Sequence, residues 1–124
     1  MTAYAKSYKG LIVWQKSIEL VTEVYKLTAK FPRHEMYGLA SQMQRAATSI
    51  ASNIAEGSSR GTTKDFVHFL RMALGSATEL ETQLVIATNL GYRATSKDTR
   101  SVDLLSEVCR MLHGMIKKLN FSDN

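Results

Sequence analysis

The sequence predicts an all-α protein, an antiparallel up-down-up-down four-helix bundle that assembles with further copies of itself. Three observations predict it. Apolar residues recur at three- and four-residue steps along four long stretches. The joints between those stretches are short and carry helix-stopping or helix-starting residues, Pro32, Gly57, Thr62 and Gly91. No stretch shows the two-residue alternation of a half-buried strand. At 124 residues, 44% hydrophobic and with a single proline, the chain has one domain's worth of core-forming material and is not of disordered composition. The organisation read from it is a loose polar arm over residues 1–10, one bundle domain over 11–120 and a tail over 121–124.

The first helix runs from about Leu11 to Phe31. Trp14, Ile18, Val21 and Tyr25 form one apolar stripe, and Val13, Leu20, Val24, Leu27 and Phe31 form a second beside it. Together they span nearly half the circumference, wider than the ~100° that one core asks for. The surplus predicts a second contact. Pro32 stops the helix.

The central helix starts near Met36–Leu39 and runs to Gly57, a residue suited to the position just past a helix end. At 100° per residue, Leu39, Met43, Ile50 and Ile54 share one face and Ala40, Ala47, Ala51 and Ala55 a second. Gln42, Arg45, Ser49, Asn53 and Glu56 make a third, a polar seam that needs partners. A surface helix would set a broad Lys/Glu face there instead, so this one is expected to pack on more than one side. Thr62 is the N-cap of helix three, with Asp65 three residues on as a variant capping box. That helix carries Phe66, Phe69, Leu70, Ala73, Ala77, Leu80, Leu84 and Ala87 on one face to Leu90-Gly91, roughly 40 Å at 1.5 Å per residue. A polar connection over Tyr92–Lys97 leads to helix four, with a stripe of Val102, Leu105, Val108, Leu112, Met115 and Leu119.

Catalytic and metal chemistry find little support. A di-iron bundle needs inward Glu-x-x-His pairs, and no glutamate here has His three residues later. His34, His68 and His113 sit on separate segments, and one cysteine without an H-E-x-x-H gives no zinc set. No cofactor or metal is implied, and the chain is read as not an enzyme. GSSRGTTK at Gly57–Lys64 departs from a phosphate loop in spacing and follows a helix instead of a strand. A helix end followed by an N-cap explains it, although Arg60, Lys64 and the free amides there could hold an anion. Cys109 lies among Leu105, Val108 and Leu112, the setting of an inert buried thiol. A lone cysteine and the lack of a leader or an ~18-residue apolar span predict a cytoplasmic protein with no membrane contact.

Two polar sets remain. Antiparallel packing about the Gly57–Thr62 turn brings Arg45 and Glu81 to comparable heights, so an Arg45–Glu81 pair is expected in a structural network with Asn53 and Glu56 that fixes register. A catalytic carboxylate pair is the sharper alternative, but it has no nucleophile to work with. The second set is basic. Sixteen Lys and Arg against eleven Asp and Glu leave a formal +5, which favours anionic partners. Arg60, Lys64 and Arg71 on helix three and its approach, with Arg110, Lys117 and Lys118 on helix four, are the candidate nucleic-acid contacts. Phe66 and Phe69 belong to the core stripe, so these basic runs have no interleaved aromatic for base stacking, and binding would be phosphate-led and salt-dependent.

Three blocks carry a resemblance: VWQKSIELVTEVYKLT (Val13–Thr28), FPRHEMYGLASQMQRAATSIASNIAEG (Phe31–Gly57) and FLRMALGSATELETQLVIATNLGY (Phe69–Tyr92). From Tyr8 to Leu119 the chain resembles the four-helix-bundle proteins first noted as products of intervening sequences in bacterial 23S ribosomal RNA genes. Ala51 stands where that family often has proline. The family is similar in turn to the accessory variability protein of diversity-generating retroelements, a basic pentameric barrel that binds nucleic acid and a reverse transcriptase. The resemblance implies a homopentamer, and it implies folding and assembly roles for Arg45, Asn53, Glu56, Gly57, Glu79 and Glu81. The function expected is non-catalytic binding of RNA or DNA through surface charge. The alternative is a protein-binding scaffold or accessory subunit, for example to a reverse transcriptase.

Overall fold

A computed structural model of the chain describes residues 7–94 and 98–122, with side chains to residue 120. Four helices make it up: α1 (Ile12–Thr28), α2 (Leu39–Ser58), α3 (Thr63–Asn89) and α4 (Arg100–Ser122). No strand occurs among the described residues. Each helix packs on two others, α1 on α2 and α4, and α3 on α2 and α4, so the four enclose one core. Leu20, Val24, Met43, Ile50, Ile54, Leu70, Leu80, Leu104, Val108 and Leu112 are fully buried there. Contacts step in opposite chain directions along neighbours. Gly57 meets Phe66 and Phe69 while Ser49 meets Ser76. Glu19 meets Arg100 while Lys16 meets Glu107.

The stretch read as a loose arm is folded over its last residues. Tyr8–Gly10 is a 3-10 turn whose Ser7 hydroxyl accepts from the Lys9 N–H at 3.2 Å, and the Tyr8 ring sits edge-on to Trp14 at 5.2 Å. Residues 1–6 of that arm, residues 95–97 of the Tyr92–Lys97 connection and residues 123–124 of the tail lie outside the described residues. α4 itself runs two residues into the expected tail.

α1 ends at Thr28, short of Phe31. The Thr28 hydroxyl donates back to the Val24 carbonyl at 2.9 Å and accepts from the Gln44 side chain on α2 at 3.0 Å. Phe31 leaves the helix yet stays buried, its ring 5.2 Å from Tyr92. A 3-10 turn over Arg33–Glu35 follows, and its Glu35 carboxylate caps α2 by accepting the Leu39 N–H at 3.1 Å. Gly38 occupies the cap position itself, where a Cβ would stand 2.8 Å from that carboxylate oxygen. The glycine leaves the cap room.

Gly57 corrects the sequence reading. It lies inside α2, which continues to Ser58, and has no left-handed φ. A Cβ there would meet Phe69 Cβ at 2.6 Å, Phe66 Cδ1 at 3.1 Å and the Phe66 carbonyl at 3.3 Å. The glycine permits close approach of α3, a role that local sequence does not distinguish from chain reversal. The two other boundaries hold as read. Thr62 Oγ1 accepts the Asp65 N–H at 3.1 Å, and Gly91 takes φ +78° after α3.

Both apolar stripes of α1 exist, with different fates. Val13, Leu20, Val24 and Leu27 are buried, whereas Ile18 is 40% and Tyr25 49% exposed and Trp14 and Val21 are half-buried. On α4 the buried line is Leu104, Leu105, Val108, Leu112 and Ile116. It is rotated from the expected stripe, leaving Val102 exposed and Met115 and Leu119 half-buried. Two adjacent apolar registers fit the same spacing there, and only the neighbouring helices decide between them.

Candidate nucleic-acid interface

The surface cations divide into paired and unpaired. Lys16 bridges Glu19 and Glu107 at 3.9 and 3.6 Å, Lys26 pairs with Glu23 at 3.4 Å, and Arg100 with Glu19 at 2.9 Å. Arg60 pairs with Glu56 one helical turn away at 3.3 Å and lies over the Phe69 ring, 4.9 Å from its centroid. Its charge is partly committed. Arg110 donates to Ser106 at 2.9 Å, again on its own helix.

Lys64, Arg71 and Lys117 are exposed and make no ion pair among the described residues, and Lys118 is exposed on the same last turns of α4. Glu81 of α3 shares a groove with Arg110 and His113 of α4. From that register, residues 64–71 of α3 and the end of α4 fall at one end of the bundle. Lys64 and Arg71 are seven residues apart, two helical turns along one side of α3. By that register Lys64, Arg71 and Lys117 lie towards the same end of the bundle, and Arg110 lies at mid-height. Lys30 and Arg33, exposed around the α1–α2 joint and without an ion pair among the described residues, are two further cations that the sequence reading did not include.

The expected Arg45–Glu81 pair does not form. Arg45 is exposed and donates to Ser41 on its own helix at 3.2 Å, beside Gln42, Glu79 and Gln83. Glu81 is at a comparable height but about 200° round α3 from Glu79, in the groove against α4. Height was legible and azimuth was not. The rest of the seam is built differently. The Ser49 and Ser76 hydroxyls meet at 2.9 Å across α2 and α3, and Asn53 donates to the Ser49 carbonyl at 2.9 Å and its hydroxyl at 3.1 Å. Glu56 turns outward to Arg60.

The α3–α4 groove, of about 490 Å³, has Leu84, Val85, Val102, Leu105 and Cys109 as its apolar lining. Burial pushes the Cys109 thiol above its ordinary pKa, with the Glu81 charge adding to the effect. The thiol is thus held protonated, not activated. Among the described residues no three His, Cys, Asp or Glu side chains group to hold a metal. No described helix is long and apolar enough to cross a membrane.

At the opposite end, Glu35 joins both interhelix joints. Besides the Leu39 N–H it accepts the Tyr92 hydroxyl at 2.9 Å, and His34 Nε2 lies 3.3 Å from the same hydroxyl. The backbone bond, then the tyrosine bond, hold the Glu35 carboxyl below its usual pKa, and the bond to Glu35 raises that of Tyr92. Tyr37, in the same turn, is 91% exposed. It lies away from the basic positions of α3 and α4, where no aromatic is interleaved. A tyrosine off every periodic stripe, between a proline and a helix start, was the signal available in the sequence.

Among solved structures the chain is similar to a protein of unknown function from the S23 ribosomal protein family of Bacteroides thetaiotaomicron. The two are 25% identical over 86% of this chain and 96% of that one, with a TM-score of 0.78. A comparison with curated proteins gave no match. The sequence signature of the 23S rRNA-intervening sequence protein matches residues 9–114, most of the bundle. This chain therefore belongs to the 23S rRNA-intervening sequence protein family.

Proposed function

We propose that the chain is a non-catalytic, cytoplasmic protein that binds RNA or DNA through unpaired surface cations, as a homo-oligomer of antiparallel up-down-up-down bundles. The observation that carries this is the sorting of charge. Several basic residues are paired with carboxylates, while Lys64, Arg71 and Lys117 make no ion pair among the described residues and fall at one end of the bundle. Clustered, unneutralised cations are what phosphate binding requires.

Assembly is supported by the half-exposed stripe of Trp14, Ile18, Val21 and Tyr25, which lies against the small α2 residues Thr48, Ala51, Ser52 and Ala55. This face is apolar and shallow, suited to a second copy. A different apolar surface, the α3–α4 groove, lies on other helices. Two unlike faces favour head-to-tail closure into a ring over a two-fold dimer, and we take the ring to be a pentamer.

The test is retention of structured RNA across a salt series. Affinity should fall linearly in log–log form as salt rises. Replacing Lys64, Arg71 and Lys117 by Gln should flatten the slope by about 0.7–0.9 for each phosphate that is no longer neutralised. Absence of retention at low salt overturns the proposal. A scaffold role, for instance as an accessory subunit, is the second reading. The α3–α4 groove, with its apolar lining and with Glu81, Arg93 and Arg110 also lining it, favours it.

A further inference from the structure

We infer that Tyr37, on the turn before α2 with Lys30 and Arg33 close in the chain, is a stacking platform for the bases of single-stranded nucleic acid. This rests on the nucleic-acid function proposed above and extends it from phosphate to base. It also names a second binding surface, at the end of the bundle away from Lys64 and Lys117.

The mounting of this tyrosine is fixed by hydrogen bonds. The turn from Pro32 to Gly38 is closed by backbone bonds from Glu35 to Pro32 at 2.9 Å, Met36 to Arg33 at 3.1 Å and Gly38 to Glu35 at 3.0 Å. Glu35 ties it to α2 through the Leu39 N–H and to the α3–α4 joint through Tyr92. The Phe31 ring lies against Tyr92 beneath. Nothing in this arrangement uses Tyr37, which is 91% exposed on a fixed backbone, with Met36 beside it 52% exposed. A large aromatic so exposed contributes little to the fold, and the hydrogen-bonded turn fixes the backbone from which it projects.

Its chemical setting selects the partner. Lys30 and Arg33 are exposed and without a carboxylate partner among the described residues, and the one acid of the turn, Glu35, is already engaged by Leu39, Tyr92 and nearby His34. An exposed aromatic on a turn that also carries Arg33, with Lys30 just before it in the chain and neither cation paired to a carboxylate among the described residues, matches an unstacked base with its phosphates. A duplex buries its base faces in the stack and offers this tyrosine none, so the preference is for single strands.

The experiment measures fluorescence anisotropy of a labelled single-stranded oligo(A) and of a duplex of equal length, with the wild-type chain, Tyr37→Ala and Tyr37→Phe. The ring is almost wholly in solvent, so Tyr37→Ala should melt with the wild type. Loss of one stacked base should weaken oligo(A) binding by about 5- to 150-fold. Duplex affinity and the salt slope should hold, and Tyr37→Phe should bind like wild type. If the wild type binds oligo(A) and Tyr37→Ala binds it equally well, the platform is overturned while the nucleic-acid function stands. If the wild type binds neither probe, that function fails and the platform with it. A drop in assembly mass in Tyr37→Ala would also overturn the platform and assign Tyr37 to the interface between copies.

Discussion

Replacing Gly57 by alanine sets two effects against each other, and the structure decides between them. On helix propensity alone, Gly→Ala inside a helix stabilises by about 0.8–1 kcal/mol. Gly57 has no left-handed φ, so no backbone strain alters that gain. The new Cβ, however, would stand 2.6 Å from Phe69 Cβ and 3.3 Å from the Phe66 carbonyl oxygen. A side-chain rotation cannot move a Cβ or a carbonyl away, so α2 and α3 must part by roughly 1 Å to reach carbon–carbon contact near 3.5–4.0 Å. Overpacking of this kind costs about 1–3 kcal/mol, and a clash with near-backbone atoms belongs at the upper end. The net is a destabilisation of about 2 kcal/mol. For a chain of this size that lowers Tm by roughly 6–10 °C, interpolating between small and large domains. Gly75→Ala is the matched control, since its Cβ would meet nothing within 4 Å, and it should be stabilised by roughly 0.5–1 kcal/mol. Thermal melts followed by helical circular dichroism read both. A Gly57→Ala protein as stable as Gly75→Ala would refute the close approach of α2 and α3 as the reason for this glycine.

Other expectations follow from the same geometry. Thr62→Ala removes the acceptor for the Asp65 N–H and should cost about 1 kcal/mol in chemical denaturation. Glu35 has a lowered pKa when folded, so its contribution is present above the ordinary glutamate range and is lost as pH falls through the folded value. Glu35→Gln should therefore be less stable than wild type at neutral pH, with the gap closing in acid. For Tyr92, whose pKa is raised, the stabilisation is complete below the ordinary tyrosine pKa and disappears as pH climbs past the folded one. Cys109 should alkylate more slowly at neutral pH than a free thiol, because burial disfavours its thiolate.

Much of the fold was legible because its signals are local. Thr62 as a cap, Gly91 as a left-handed stop and the two stripes of α1 each follow from residues within a turn or two of one another. What was not legible depends on neighbours distant in sequence. Gly57 looks like a helix end until Phe66 and Phe69 are seen against it. Glu81 has the right height to meet Arg45, yet periodicity alone does not say that its side of α3 belongs to α4. The α4 stripe was displaced for the same reason. Of the candidate cations, the sequence could not show that Arg60 is held by Glu56 and Phe69, nor that Lys30, Arg33 and Tyr37 share one exposed end. Charge is written in the sequence, but its neutralisation is a property of the fold.

In the proposed assembly the half-exposed face of α1 and α2 is covered by another copy of the chain, and the copies together carry the cationic surface. Light scattering coupled to size exclusion, repeated over a wide dilution series, tests it most directly. We predict a mass about five times the 13.8 kDa of one chain, held on dilution and reduced when Trp14 and Ile18 are replaced by polar residues. A single folded chain at every concentration would contradict it.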